Sequence, residues 1–363
     1  MSILGLDIGG ANIKAADDSG RAMSRAFPIW KTPERLSAEL VSLLGDFPQT
    51  EHIAVTMTAE LADCFDTKSD GVHFILTSIE SSCRAIDSIK AGVSVAVWTT
   101  SGCFLSIDDA RLRPMLVAAA NWNALATWCG RLVPDGASLL IDIGTTTTDI
   151  IPMVDGKIEA IGRTDPERLR TGELSYSGVR RTPVYGLANA VPVETTCAAI
   201  SAKSFSPQYS PLAAELFATT LDIYLLLGDI APNPADRDTA NGMPATVNAA
   251  HQRLARMLCC DREDVSLENA VSIARFLAEV QRHRLAGALD RVARRLPGLC
   301  QHIVVSGSGS FLARRLVAEC RFTKAGRVIS LDHHLSPELS ESACAYAVAR
   351  LLADKASGSL LPV

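Results

Sequence analysis

One short phrase occurs twice in this chain, and it restricts the fold more than any other feature. Leu4-Gly-Leu-Asp-Ile-Gly-Gly-Ala-Asn-Ile-Lys14 returns as Leu139-Leu-Ile-Asp-Ile-Gly-Thr-Thr-Thr-Thr-Asp149. Each copy is an apolar run closed by Asp, then Ile-Gly, then small or hydroxyl residues, then a second apolar segment. That pattern predicts strand, tight turn, strand. The turns offer unhindered backbone N–H groups and hydroxyls beside a carboxylate at a strand end. Such a turn suits phosphate, and the carboxylate suits a metal or its water. Two copies predict two similar halves facing one anionic ligand.

A structural reading stands beside the functional one. Gly9 and Gly10 could serve only as hairpin glycines, and Asp7 only as a strand-end turn residue. Thr145 to Thr148 could be plain strand sequence, since Thr favours strands. A buried strand, however, would have to satisfy four hydroxyls, and a phosphate satisfies them directly.

The length, 363 residues, suits two domains. Apolar residues make up 48% and charged residues 21%, so a packed core is expected. A net charge of −5 argues against nucleic-acid binding. The start of the chain has no signal-peptide pattern, and no apolar run reaches the roughly 18 residues that span a bilayer. The ten cysteines include no C-x-x-C pair. A cytoplasmic protein with reduced thiols follows as the expectation. Cys64, near Glu60 and Asp63, is read as a small buried hydrophobe.

Along the chain, Ile3–Asp7 and Ala11–Ala16 read as a hairpin and Ala22–Trp30 as a third strand. A helix is expected over Pro33–Leu44 with Thr32 as N-cap. His52–Met57 and Val93–Trp98 read as strands, Thr58–Asp63 as a turn into something helical, and Leu116–Trp128 as a helix. In the second half, Ser138–Asp142, Asp149–Val154 and Lys157–Ile161 read as strands. The last two are joined by Asp155-Gly156, a two-residue hairpin signal. Helices are expected over Ala213–Leu226, Ala245–Leu258, Ser266–His283 and Leu285–Leu296. Gln301–Ser306 and Arg327–Leu331 revert to strand, flanking a helix over Phe311–Cys320. A last helix, Ser336–Leu352, starts at the Ser336-Pro337-Glu338 cap. The expected class is α/β, with domains at 1–137 and 138–363, a helical block about 211–296, and the last helix returning to the first domain.

Ser306-Gly-Ser-Gly-Ser310 is a third Gly-rich turn. A strand entering such a turn before a helix can present N–H groups to an anion or nucleotide. It is not a dinucleotide fingerprint, because Leu312 stands where the third small residue belongs, and no P-loop motif exists. The histidines show no zinc spacing, and His251 is read as lying on an exposed helix face.

The order of these parts resembles the actin-like ATPase superfamily. The resemblance implies two ribonuclease-H-like domains around a cleft, with the third turn facing an adenosine-like group. Five longer stretches resemble the tetrahydromethanopterin-linked one-carbon branch of the hydantoinase/oxoprolinase A family. They are Leu6-Asp-Ile-Gly-Gly-Ala-Asn-Ile-Lys14, Thr56–Phe65, Ala119-Ala-Asn-Trp122, Ile141–Pro152 and Arg170–Pro183.

That resemblance implies a transferase of methanofuran-type cofactor biosynthesis. It would join an aminomethyl-furan-methyl diphosphate to a phenol, glutamyl-tyramine or a tyrosine-like relative, and release diphosphate. ATP would not be consumed, though it could bind. Gly9, Gly10, Asn12, Gly144, Thr145, Thr146 and Thr147 would then cradle diphosphate. Lys14 would add a point charge, unless it is a solvated strand lysine. Asp7 and Asp142 would hold Mg²⁺ through water. Glu60 would accept the phenol proton, or else open a helix. Arg170, Arg180, Arg181, Gly307 and Gly309 would meet substrate, with surface ion pairs as the other reading for the arginines. Asp236 and Asp238 stay unassigned as ligands, because Asn241 stands where the family pattern has an acid. An Asp-rich interhelical loop, with Thr239 and Gly242 as cap and turn, is their plainer reading.

The expected partners are small molecules, with no nucleic acid and no membrane. The oligomeric state is not readable. Two other function classes remain open: an ATP-dependent small-molecule kinase or hydantoinase/oxoprolinase-type hydrolase of the same fold, and a nucleotide-dependent scaffold.

Overall fold

The computed structural model describes residues 2–87, 92–193 and 208–358. Its first sheet comprises β1 (Ile3–Ile8), β2 (Asn12–Asp17), β3 (Ala22–Ala26), β4 (His52–Met57), β5 (Ser94–Trp98) and β6 (Phe104–Leu105), in the order β3-β2-β1-β4-β5-β6. The second half contributes β7 (Ala137–Ile143), β8 (Thr148–Val154), β9 (Lys157–Ile158) and β10 (Leu174–Ser175). A separate two-stranded ribbon of β11 (Ala190–Val193) and β12 (Gln208–Pro211) follows, then β13 (His302–Ser306) and β14 (Arg327–Ser330). The second sheet runs β10-β8-β7-β13-β14, with β9 paired to β8.

The two sheets share one topology. β1 and β7 are central. Each has an antiparallel hairpin partner on one side, β2 or β8, and a parallel crossover strand on the other, β4 or β13. All six residues of β1 are buried, as expected for a strand covered on both faces. Gly5 has a specific reason to be glycine. A Cβ there would lie 1.8 Å from the Ala345 carbonyl oxygen, so its absence lets the Ala343–Ala356 helix lie directly on the strand.

That helix and Asn121–Cys129 form a layer between the sheets. One apolar cluster joins Ile3, Ala54 and Trp98 of the first sheet to Leu140, Ile151, Met153 and Val304 of the second through these helices. Separate cores lie on the outer face of each sheet. The shared layer is continuous apolar packing, so the two hairpin turns above it are held at a set separation.

Several expected elements differ in detail. The span Leu116–Trp128 is not one helix: Pro114–Val117 and Asn121–Cys129 are separated by Ala119, whose φ is +48°. The third strand stops at Ala26, and Thr32 makes no side-chain cap before a 3₁₀ turn at Pro33–Arg35. No helix follows Thr58 directly, and the next begins at Lys68. Ala213–Leu226 shortens to Thr220–Leu227, because Thr219 and Asp222 form a capping box. Two expected helices fuse into one, Leu267–Ala293, capped by Ser266. The last helix breaks at Ser342 into Pro337–Glu341 and Ala343–Ala356; Ser342 is fully buried and its hydroxyl donates to the Met23 carbonyl. The Asp155-Gly156 turn is as expected, with both residues at positive φ.

Candidate active site

Both Asp-Ile-Gly turns close in the same way. The Gly9 N–H donates to the Asn12 carbonyl at 3.0 Å, and the Gly144 N–H donates to the Thr147 carbonyl at 2.9 Å. Both line one cleft of about 690 Å³. Gly9, Gly10, Asn12, Lys14, Gly144, Thr145, Thr146 and Thr147 all face it. A Cβ at Gly10 would meet nothing within 4 Å, so its backbone is open to a ligand. The fourth threonine departs from the expectation. Thr148 is buried and its hydroxyl donates to the Ser177 carbonyl at 2.6 Å, so it needs no phosphate.

Asp7 and Asp142 sit near the ends of the two central strands. Burial lifts the Asp7 carboxyl to about 6, against the opposing pull of Lys14. Lys14 lies directly across the hairpin from Asp7. Burial lifts Asp142 to about 6 as well, helped by Asp149 and Asp7 and opposed by Lys14 and a hydrogen bond from Ser306. Asp7 Oδ1 is buried with no hydrogen-bond partner. Among the described residues, no cluster of three or more His, Cys, Asp or Glu could bind a metal outright. A hard cation held by two carboxylates through water, with ligand oxygens completing its shell, matches the donors present. Cys344 lies beneath them, and burial with the nearby acids keeps its thiol well above its usual value, hence neutral.

Glu60 is built into the cleft wall by three separate contacts. The Thr58 and Ala59 N–H groups donate to the Ile8 carbonyl, which ties the turn after β4 to β1. A Cβ at Gly71 would lie 2.3 Å from the Glu60 carbonyl oxygen, so glycine lets the Lys68–Asp87 helix press on this turn. The left-handed Ala119 aims its N–H at the Glu60 carboxylate. Glu60 is 1% exposed, and its Oε2 has no partner. Burial pushes its carboxyl to about 7. It does not open a helix.

Residues that sequence reasoning missed complete the wall. Arg168 is 1% exposed, lies 4.1 Å over the Trp122 ring, and donates to Asp149 at 2.8 Å and to the Glu173 carbonyl at 3.1 Å. Asp165 lines the cleft and pairs with Lys68 at 2.7 Å. Tyr176 faces Asp165, Glu60 and Asp149; burial and these acids raise its phenol to about 12. The helix-start signature Thr164-Asp-Pro-Glu was present in the sequence. Which arginine of that helix faces inward was not marked.

The expected arginines separate. Arg170 is exposed and does not line the cleft. Two residues along a helix is about 200°, so it faces away from Arg168. Arg180 also stays outside, paired with Asp236 at 2.6 Å. Arg181 does line the cleft, 5.0 Å over the Trp30 ring and bonded to Asp238 at 2.8 Å. Asp236 and Asp238 are therefore arginine partners, and the Asn241 amide oxygen accepts from Arg253. Gly307 and Gly309 do not reach the cleft either. A Cβ at Gly307 would lie 2.3 Å from the Ile143 carbonyl oxygen, and one at Gly309 would lie 2.4 Å from the Ile143 side chain. Cys64 is exposed rather than buried, and His251 is buried rather than exposed, donating to the Val265 carbonyl.

Two repeated sheet topologies facing one cleft through paired strand–turn–strand motifs define the actin-like ATPase fold. Among solved structures, nucleotide-free acetone carboxylase has this fold, with a TM-score of 0.56 at 11% identity over 96% of this chain and 70% of that one. The chain belongs to the hydantoinase/oxoprolinase family, which matches residues 51–355. It is 32% identical, over 97% of its length and 98% of the relative's, to the (4-{4-[2-(gamma-L-glutamylamino)ethyl]phenoxymethyl}furan-2-yl)methanamine synthase of Methanocaldococcus jannaschii. The synthase of the same name from Methanococcus vannielii is 30% identical over 62% of this chain and 95% of that protein. Among the described residues, no helix is long and apolar enough to cross a membrane.

Proposed function

We propose that this protein is a transferase that builds the furan–phenol ether of a methanofuran-type cofactor, releasing diphosphate from an aminomethyl-furan-methyl diphosphate. The observation that carries this reading is the pairing of two phosphate-type turns with the buried Glu60 carboxylate, whose Oε2 has no partner, in one cleft. The near full-length likeness to the named synthases supports it.

In this reading the Gly9–Asn12 and Gly144–Thr147 turns hold the diphosphate, and Lys14 faces its charge. The bond between the furan CH₂ and the diphosphate oxygen breaks, and the pair leaves with diphosphate. The phenol oxygen forms the new bond to that carbon, and its proton passes to Glu60. A carboxyl near 7 is poised to take that proton at neutral pH. Asp7 and Asp142 would hold Mg²⁺ through water, which when bound neutralises charge on the leaving group. Arg181 and Trp30 stand at the cleft wall, where the acceptor phenol would enter. The neutral Cys344 thiol avoids competing for the electrophilic carbon. The exposed thiols Cys64, Cys103 and Cys259 support a reducing cytoplasmic setting.

A diphosphate-release assay with the furan diphosphate and a panel of phenols tests the proposal. Release that depends on a phenol, without ATP, is the expected result. ATP hydrolysis with no such release would favour the kinase or hydrolase class instead.

A further inference from the structure

The fold implies a nucleotide, whose nucleoside would lie against the Gly-rich turn after β13. The residues there do not fit one. The Gly307–Gly309 turn is packed onto the end of β7: the Gly309 N–H donates to the Ile143 carbonyl at 2.8 Å, and a Cβ at Gly307 would also lie 2.5 Å from Asp142 Oδ1. Val179, 1% exposed, packs against the turn, its Cγ1 lying 2.8 Å from where a Cβ at Gly309 would be. Val179 thus bridges the second Asp-Ile-Gly turn and the third glycine turn, its N–H on the Gly144 carbonyl and its side chain against Gly309.

Val179 belongs to a strap, Ser177–Thr182, that is fastened on both sides. Toward the phosphate turn, the Val179 N–H donates to the Gly144 carbonyl at 3.1 Å, and the Arg180 and Arg181 N–H groups donate to the Thr145 carbonyl at 3.0 and 2.9 Å. Gly178 makes this approach possible, since a Cβ there would be 2.5 Å from the Thr145 backbone. Toward the helical block, the Gly178 carbonyl accepts from Thr220 Oγ1 at 2.9 Å and from Gln281 Nε2 at 2.8 Å. Gln281 is fully buried and is itself held by the Tyr224 hydroxyl at 2.7 Å. Swinging the strap aside would break these bonds in a dry environment, where an unpaired polar group is costly. The cleft extends instead toward Glu60, Trp122 and Tyr176.

We infer that the Ser177–Thr182 strap bars nucleosides, so that the two turns accept a small organic diphosphate whose organic part lies toward Glu60 and Tyr176. This rests on the phosphate reading of the turns proposed above. Calorimetry with pyrophosphate, furfuryl diphosphate and ADP, each with Mg²⁺, tests it. Pyrophosphate and furfuryl diphosphate should bind, with ADP at least about 100-fold weaker, because rejection by a filled site is steric. ADP binding as tightly as pyrophosphate overturns the strap and leaves the phosphate reading intact. Binding of none of the three overturns the phosphate reading, and the inference with it.

Two further measurements test the wall and the direction. The amides of Val179, Arg180 and Arg181 should exchange slowly in the free protein; fast exchange means the strap is not a fixed wall. Tyr176→Ala, at a half-exposed position, should weaken furfuryl diphosphate while leaving pyrophosphate unchanged. No difference between the two ligands refutes the assigned direction.

Discussion

Glu60→Gln separates the energetic role of this carboxyl from its chemical one. Burial moves the carboxyl from an ordinary 4.5 to about 7 in the folded protein. Between those values the folded chain keeps a proton that the unfolded chain has released. The stabilising contribution is therefore complete below pH 4.5 and is lost as pH rises through about 7. The displacement corresponds to about 3 kcal/mol, with little solvent screening because Glu60 is 1% exposed. Gln cannot ionise, so the variant escapes this loss. Urea unfolding, followed by tryptophan fluorescence, should show the variant gaining about 3 kcal/mol on the wild type between pH 4.5 and pH 8. Asp7 and Asp142 titrate in both proteins and cancel in the difference. Any pH-independent cost of the amide cancels too. In the diphosphate-release assay the same variant should lose roughly 10²- to 10⁴-fold in turnover, the usual contribution of a positioned base. A stability difference that stays flat across this range would refute the argument that burial raises Glu60. Wild-type turnover would remove it as the base.

Arg168→Met should destabilise the protein by about 3–5 kcal/mol, since it strands the buried Asp149 carboxylate; urea unfolding at pH 7 measures this, and a change below 1 kcal/mol would mean that Asp149 simply takes up a proton. Lys14→Met should weaken pyrophosphate binding about tenfold, or roughly 1.4 kcal/mol, by calorimetry, and should move the Asp7 carboxyl further above 6, because Lys14 is the cation opposing that rise. Gly178→Ala should cost about 1–3 kcal/mol through overpacking against the Thr145 backbone. Thermal melting and pyrophosphate binding should fall together, and unchanged values would show that the turn does not depend on this contact.

The parts of the site that were legible in the sequence are those encoded locally. Asp-Ile-Gly followed by small or hydroxyl residues dictates a strand, a tight turn and an open backbone, and both turns form where the repeat places them. Glu60 was also visible, as an acid just after an apolar strand. Its environment was not, because Gly71 and Ala119 approach it from separate elements. Arg168 and Arg170 look alike in a linear string. Only the docking of their helix against Trp122 and Asp149 buries the first and leaves the second in water.

Gly307 and Gly309 show the same division. A strand–glycine–helix pattern specifies a turn that could face a ligand, yet it carries no information about what lies opposite. Here Ile143 and Val179 lie opposite. Local sequence was enough to dictate two matching strand–turn–strand hairpins with open backbone, because turn chemistry depends on a few adjacent residues. Which cations face the cleft, how far Glu60 is withdrawn from water, and what packs against the second hairpin turn came only from the folded arrangement, because burial and packing are set by residues far apart along the chain.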